Sequence, residues 1–190
     1  LYGALCLFRP KRIVEVGSGF SSLVMADANV DVFGGALDIT CIEPYPRDFL
    51  RAGVEGITRL LPSRVEETDL AVFAQLEAGD LLFIDSSHVS KAGSDVNHLF
   101  FEVLPRLKSG VYVHLHDIFL PDEYPKPWVI DEERSWTEQY LLHAFLMFNT
   151  DWRVVWMAHY MLSRHREAVC SVFPRCPGLG AGGSFWMQRC

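Results

Sequence analysis

Glu15-Val-Gly-Ser-Gly19-Phe-Ser-Ser22 decides how this chain is read. It follows Arg12-Ile-Val-Glu-Val16, a short β-branched run, and leads into Ser22 to Ala28, which has helical composition. Gly17 and Gly19 let the backbone turn tightly and approach a ligand closely. The helix start beyond them offers free N–H groups to polar ligand atoms. Glu15 either faces a cationic ligand or holds the turn through hydrogen bonds. Taken alone, two glycines after a strand also describe a generic βα turn.

Outward from this turn, strand-like and helix-like stretches alternate. Asp38–Ile42 reads as a second strand that stops at Glu43-Pro44, and Pro46 to Ala52 suits a short helix. Ile57 to Leu61 predicts a third strand, and the spacing of Val65, Val72, Phe73 and Leu76 predicts a helix over 65–76. Leu81-Leu-Phe-Ile84 is a continuous apolar run ending at Asp85, the pattern of a strand covered on both faces. Asp95 is expected to cap a helix running through Leu104. Val111 to Leu115 predicts a fifth strand, closed by His116-Asp117. Ser135 to Phe148 reads as a helix with Ser135 and Glu138 in capping-box spacing. Trp152 to Ala158 reads as a strand, Tyr160 to Val172 is ambiguous, and Ser184 to Gln188 is a candidate last strand after the Gly178 to Gly183 turn.

Repeated βα units imply a Rossmann-like, doubly wound α/β fold, with a mainly parallel sheet and helices on both faces. The carboxyl ends of its parallel strands then share one edge, where ligands bind. No internal repeat, low-complexity segment or second domain is visible, so residues 1–190 read as one domain. Leu1 looks like the end of a helix, and a preceding segment is expected.

Composition narrows the function. Of 190 residues 49% are hydrophobic and 22% charged, ordinary for a globular domain. The net charge of -7 speaks against nucleic-acid binding, which wants a basic face. No long uncharged apolar run suggests a membrane span. Cys6, Cys41, Cys170, Cys176 and Cys190 lack zinc-like pairing. A Cys170–Cys176 disulfide is open, but a reduced cytoplasmic chain is the simpler reading.

Glu43, ending the second strand, is placed to accept hydrogen bonds from ribose hydroxyls. With Glu-x-Gly-x-Gly and this acid, the chain resembles the class I S-adenosylmethionine-dependent methyltransferases from Arg12 to Gln188. The resemblance implies a seven-stranded sheet whose last strand is antiparallel. It implies S-adenosylmethionine held by Glu15, Gly17, Ser18, Gly19, Ser21, Ser22, Glu43 and Asp85, with adenine near Ser63 to Glu66. Ser21 stands where the family often has a third glycine.

Phe83-Ile-Asp85-Ser-Ser-His88 and His114-Leu-His116-Asp117 should meet at the same sheet edge. This resembles the small-molecule O-methyltransferase branch, some members of which bind a divalent metal. By that analogy Asp85 and Asp117 are candidate ligands for magnesium, which would lower the pKa of a substrate hydroxyl. Asp85, His88, His116 and Asp117 are the candidate catalytic residues, with His88 or His116 a base that needs no metal. His114 and His116 share a strand face, and either reads equally as a satisfied core histidine. The loop from Leu120 to Arg134 is a candidate lid, or a surface loop whose aromatics pack back on the domain or form a dimer contact. The expectation is methyl transfer to a small-molecule oxygen, in a monomer or homodimer. The rivals are an NAD(P)-dependent oxidoreductase, a non-catalytic relative and a hydroxylase-like relative.

Overall fold

A computed structural model describes residues 1–173 and 182–190. Its seven strands are β1 (Arg12–Val16), β2 (Asp38–Ile42), β3 (Arg59–Leu61), β4 (Leu81–Ile84), β5 (Tyr112–Leu115), β6 (Trp152–Met157) and β7 (Phe185–Arg189). They form one sheet in the order β3-β2-β1-β4-β5-β7-β6. The pairs among β1 to β5 are parallel, whereas β7 runs antiparallel to both β5 and β6. The expected antiparallel last strand is therefore present.

Side-chain alternation explains why the sheet is buried on both faces. Val14, Val16, Leu82, Ile84, Val113 and Leu115 enter one apolar cluster. Their neighbours Ile13, Leu81 and Phe83 enter a second cluster with Ile39 and Cys41. Successive residues of a strand point to opposite faces, so a continuous apolar run feeds two cores at once.

The helices are α1 (Tyr2–Phe8), α2 (Phe20–Phe33), α3 (Asp48–Arg51), α4 (Ala71–Ala74), α5 (Asp95–His98), α6 (Lys126–Ile130), α7 (Glu138–Leu146), α8 (Ala158–Arg164) and α9 (Arg166–Val172). Several depart from expectation. The helix expected over 65–76 is broken into a 3₁₀ turn at Val65–Glu67 and α4, because Asp69 accepts from the Ala71 N–H at 2.9 Å and starts afresh. Ser94, not Asp95, caps α5, accepting from Asn97 N–H at 3.2 Å. The Asp95 carboxylate instead takes the Ser87 N–H (2.8 Å) and hydroxyl (2.5 Å). The loop from Leu120 to Arg134 contains α6, with Pro127 in its first turn, where a missing N–H costs nothing. The ambiguous stretch holds α8 and α9. Cys176 and most of the Gly178 to Gly183 turn lie outside the described residues.

β2 lies on one side of β1 and β4 on the other. Chain connections leave β1 and β4 in opposite directions there, which opens a crevice above their carboxyl ends.

Candidate active site

Gly17 is where the turn is fixed. Its φ is +82°, and a Cβ would overlap the main-chain oxygen of Asp85. Only glycine lets the β1 turn lie against the end of β4. Gly19 differs: nothing lies within 4 Å of a Cβ built there, and the residue lines the crevice. It leaves room for a ligand, not for the protein's own backbone.

Glu15 proves to be the holder of the turn. It is fully buried and accepts from the Ser21 hydroxyl at 2.6 Å and the Ser22 hydroxyl at 2.5 Å. Cys41 Sγ lies 3.3 Å from the same carboxylate. Burial pushes the Glu15 pKa up, and these donors pull against it. Ser22 is likewise buried, and neither residue lines the crevice, so both act from beneath it. Glu43 spans the turn and its own loop, accepting from Ser18 N–H (3.2 Å) and Tyr45 N–H (2.8 Å). A carboxylate has about four lone-pair sites, so Glu43 can accept further bonds.

The crevice has two lobes that share part of their lining. One, of about 720 Å³, is lined by Gly17 to Ser21, Glu43, Asp85, His114, His116 and Ser184 among others. The second, of about 430 Å³, is lined by Glu43, Tyr45, Val65, Glu66, Asp85 and the 86–95 loop. Gly17, Glu43, Tyr45 and Asp85 belong to both. These volumes are those of small-molecule sites, commonly about 300–1,000 Å³.

The expected catalytic residues do converge. His116 Nδ1 lies 3.1 Å from Asp117 Oδ1 and 3.7 Å from Asp85 Oδ1, and His88 Nε2 lies 3.4 Å from Asp85 Oδ1. The Asp117 contact foremost raises the His116 pKa, with burial opposing it. That contact is an ion pair poorly aligned as a hydrogen bond, since Nδ1 has no partner of good geometry. His88 and Asp117 both have left-handed backbones, φ +59° and +55°. Such conformations cost about 1–3 kcal/mol and cluster at functional sites.

Both ring nitrogens of His88 face carboxylates, which leaves neither turned to an acceptor. Its ring is buried, with Nδ1 held by Glu138 at 2.8 Å and Nε2 facing Asp85. Burial alone would lower its pKa, but the hydrogen bonds and charges of Asp85 and Glu138 outweigh it and raise it to about 9. The folded value lies above the ordinary one of 6.5, so this imidazolium stabilises the fold fully below pH 6.5. That contribution is lost as pH rises through about 9. The melting temperature is therefore expected to fall between these pH values, and to fall less in His88→Asn. Parallel curves for the two proteins would show that another group titrates.

His114 shares the strand face of His116, with ring centroids 6.0 Å apart. It stacks on Phe83 at 4.2 Å, and its Nε2 lies 3.0 Å from Ser184 Oγ. Burial holds its pKa well below the usual value, so the ring is neutral.

The metal reading gains no support here. Among the described residues no group of three His, Cys, Asp or Glu side chains is arranged to hold a metal ion. Asp85 and Asp117 instead face the His116 ring between them. The lid reading also changes: no residue of 120–134 lines either lobe. The loop's aromatics pack back on the domain, with Trp128 5.2 Å from Trp136 and the Arg134 guanidinium 4.1 and 4.6 Å from their rings.

Comparison with known proteins defines the class. A family model described as a methyltransferase domain matches residues 14–118, more than half of the chain and all of β1 to β5 but the first two residues of β1. The chain belongs to this methyltransferase-domain family. An uncharacterized protein of Archaeoglobus fulgidus is 44% identical over 72 residues, 37% of this chain and 33% of that protein. The match thus spans only a third of the relative's length. The CmcI-N160 apo-structure superposes with a TM-score of 0.50 at 15% identity, covering 99% of this chain and 68% of that one. A SAM-dependent methyltransferase from Archaeoglobus fulgidus gives 0.49 at 10% identity, covering 100% and 92%. The first of these structures shares the fold. The oxidoreductase reading is set aside, because β7 inserts antiparallel between β5 and β6 in place of an all-parallel dinucleotide-binding sheet.

Proposed function

We propose that the chain, acting as one domain, transfers a methyl group from S-adenosylmethionine to an oxygen of a small-molecule acceptor. The observation that carries this reading is the open space at Gly19, in the lobe that Glu43 and Asp85 also line. The fit is supported by Ser18, whose buried hydroxyl lacks a well-placed partner at the crevice wall. Gly17, Ser18 and Gly19 would hold the methionine end, Glu43 the ribose, and Val65 and Glu66 would flank adenine. When bound, the cofactor supplies an electrophilic methyl group on a sulfonium.

The chain's own work is alignment and proton handling. Gly17 and Asp85 fix the distance between the turn and the acceptor side of the crevice. His116 is the base in this reading, taking the acceptor's hydroxyl proton when its ring is neutral, with Asp117 stabilising the imidazolium that results. Asp85 faces the reacting groups from the opposite carboxyl end. Holding the nucleophile in line is worth more than any single contact, because orientation removes an entropic barrier.

Calorimetric titration with S-adenosylhomocysteine, against NADH as control, tests the cofactor. Tight binding of the first and none of the second supports the proposal, and the reverse overturns it. Radiolabelled methyl donor with pooled hydroxylated metabolites then finds the acceptor. Glu43→Ala is expected to weaken S-adenosylhomocysteine binding by about 1–3 kcal/mol, the cost of unpairing polar groups. Unchanged affinity would place the ribose elsewhere.

A further inference from the structure

Glu138 is a carboxylate with no solvent exposure at all, at the first residue of α7. It makes no capping bond to its own helix. One oxygen lies 2.8 Å from His88 Nδ1, and the other has no partner. Burying a carboxylate costs several kcal/mol unless it is well paired, so such a group is an expensive way to begin a helix. Its position is nevertheless enforced. The His88 carbonyl accepts from Thr137 N–H (2.8 Å) and Glu138 N–H (3.1 Å), and Ser90 N–H donates to the Thr137 hydroxyl at 2.8 Å. The Trp136 ring covers the His88 ring at 4.2 Å. The start of α7 is thereby fastened to the loop that follows β4.

The far side of the His88 ring faces Asp85. Its Nε2 lies 3.4 Å from Asp85 Oδ1, and the Asp85 side chain is 34% exposed at the junction of the two lobes. A line of carboxylate, imidazole and carboxylate therefore runs from the core to the crevice wall. We infer that Glu138 is a positioning residue, acting through His88 to fix the orientation of the Asp85 carboxylate against the bound methyl donor. This rests on the methyltransferase reading above. An imidazole anchored at Nδ1 by a group that cannot move presents its Nε2–H in one direction only. Asp85 could otherwise turn about its own side-chain bonds. The sheet already fixes its main chain through the Asp85 N–H to Val16 carbonyl bond of 2.8 Å. His88 is thus the device that settles its carboxylate, and Glu138 settles His88.

The test compares Glu138→Gln, His88→Asn and the double variant with the intact protein. Dissociation constants for S-adenosylhomocysteine come from calorimetry, and the His88 ring protons from low-field NMR. Each single variant is expected to weaken binding roughly three- to tenfold, the worth of one hydrogen bond. The double variant should weaken it no more than the larger single one, because the two residues act in series. A role confined to helix stability would lower the melting temperature and leave the affinity of the folded protein unchanged. That outcome, or losses that multiply in the double variant, overturns the inference. Asp85→Asn probes the same line from its exposed end without touching the core. It should shift the His88 Nδ1–H resonance, and an unmoved resonance counts equally against the coupling. If the intact protein fails to bind S-adenosylhomocysteine, the methyltransferase reading falls, and the NMR result still decides whether Glu138, His88 and Asp85 are coupled.

Discussion

Gly17→Ala is expected to destabilise the protein by about 2–5 kcal/mol and to abolish binding of the methyl donor. Two costs add. The residue sits at φ +82°, where an alanine pays about 1–2 kcal/mol for its Cβ. The same Cβ overlaps the Asp85 main-chain oxygen, and overpacking of this kind typically costs about 1–3 kcal/mol more. That oxygen cannot retreat cheaply, because the Asp85 N–H is tied to Val16 and the chain is leaving β4. Relief must come from parting β1 from β4, which is where the crevice is built. Gly19→Ala is the informative partner. Its φ of -161° lies outside the left-handed region and nothing lies near the new methyl group, so stability should fall less than in Gly17→Ala. Donor affinity should still fall, because that space belongs to the ligand. Urea unfolding and S-adenosylhomocysteine titration of both variants check the contrast. Equal stability for the two would mean that the turn moves freely.

The same turn explains what could be read in advance. β1, β2, β4 and β5 were legible because each is a short apolar run that ends on a residue with chemistry to do: Glu15-Val16 before the glycines, Glu43, Asp85 and His116-Asp117. A buried parallel strand must be apolar throughout, and its carboxyl end must face the crevice, so pattern and position coincide. Glu138 was legible only as half of a capping box. Serine and glutamate three apart describe a cap equally well whether the carboxylate turns back to the helix or inward, and its actual partner, His88, is 50 residues away. Ser94 and Asp95 present the same ambiguity on a smaller scale. Either can cap α5, and only the nearness of Ser87 draws Asp95 off. The metal reading gains no support for a related reason. Two acids at adjacent strand ends are visible in sequence, but the imidazole that fills the gap between them is a fact of rotamer and distance.

Asp85→Ala is expected to lower turnover by a factor of about 10²–10⁴, the range by which a positioned proton-handling or charged group contributes, while leaving the fold intact. The side chain is one-third exposed and belongs to neither apolar cluster, so its loss opens no core cavity. Its charge is another matter. Among the described residues it is the one carboxylate that faces both imidazoles, 3.4 Å from His88 and 3.7 Å from His116, and it lines both lobes. Removing it takes away a counter-charge from His116, which lowers the affinity of that ring for a proton, and leaves His88 with Glu138 alone. Asp85→Asn separates charge from shape. It keeps the side chain's volume, so any loss it shares with Asp85→Ala is electrostatic. The decisive measurement is the rate at which S-adenosylhomocysteine forms with whichever acceptor the radiolabel screen identifies, alongside the calorimetric affinity for the donor. Turnover that falls much further than donor affinity assigns Asp85 to the chemical step as well as to the donor's side of the crevice. Turnover that survives in both variants removes that assignment and shifts the chemistry to His116 and Asp117, without touching the role of Gly17 and Glu43 in holding the donor.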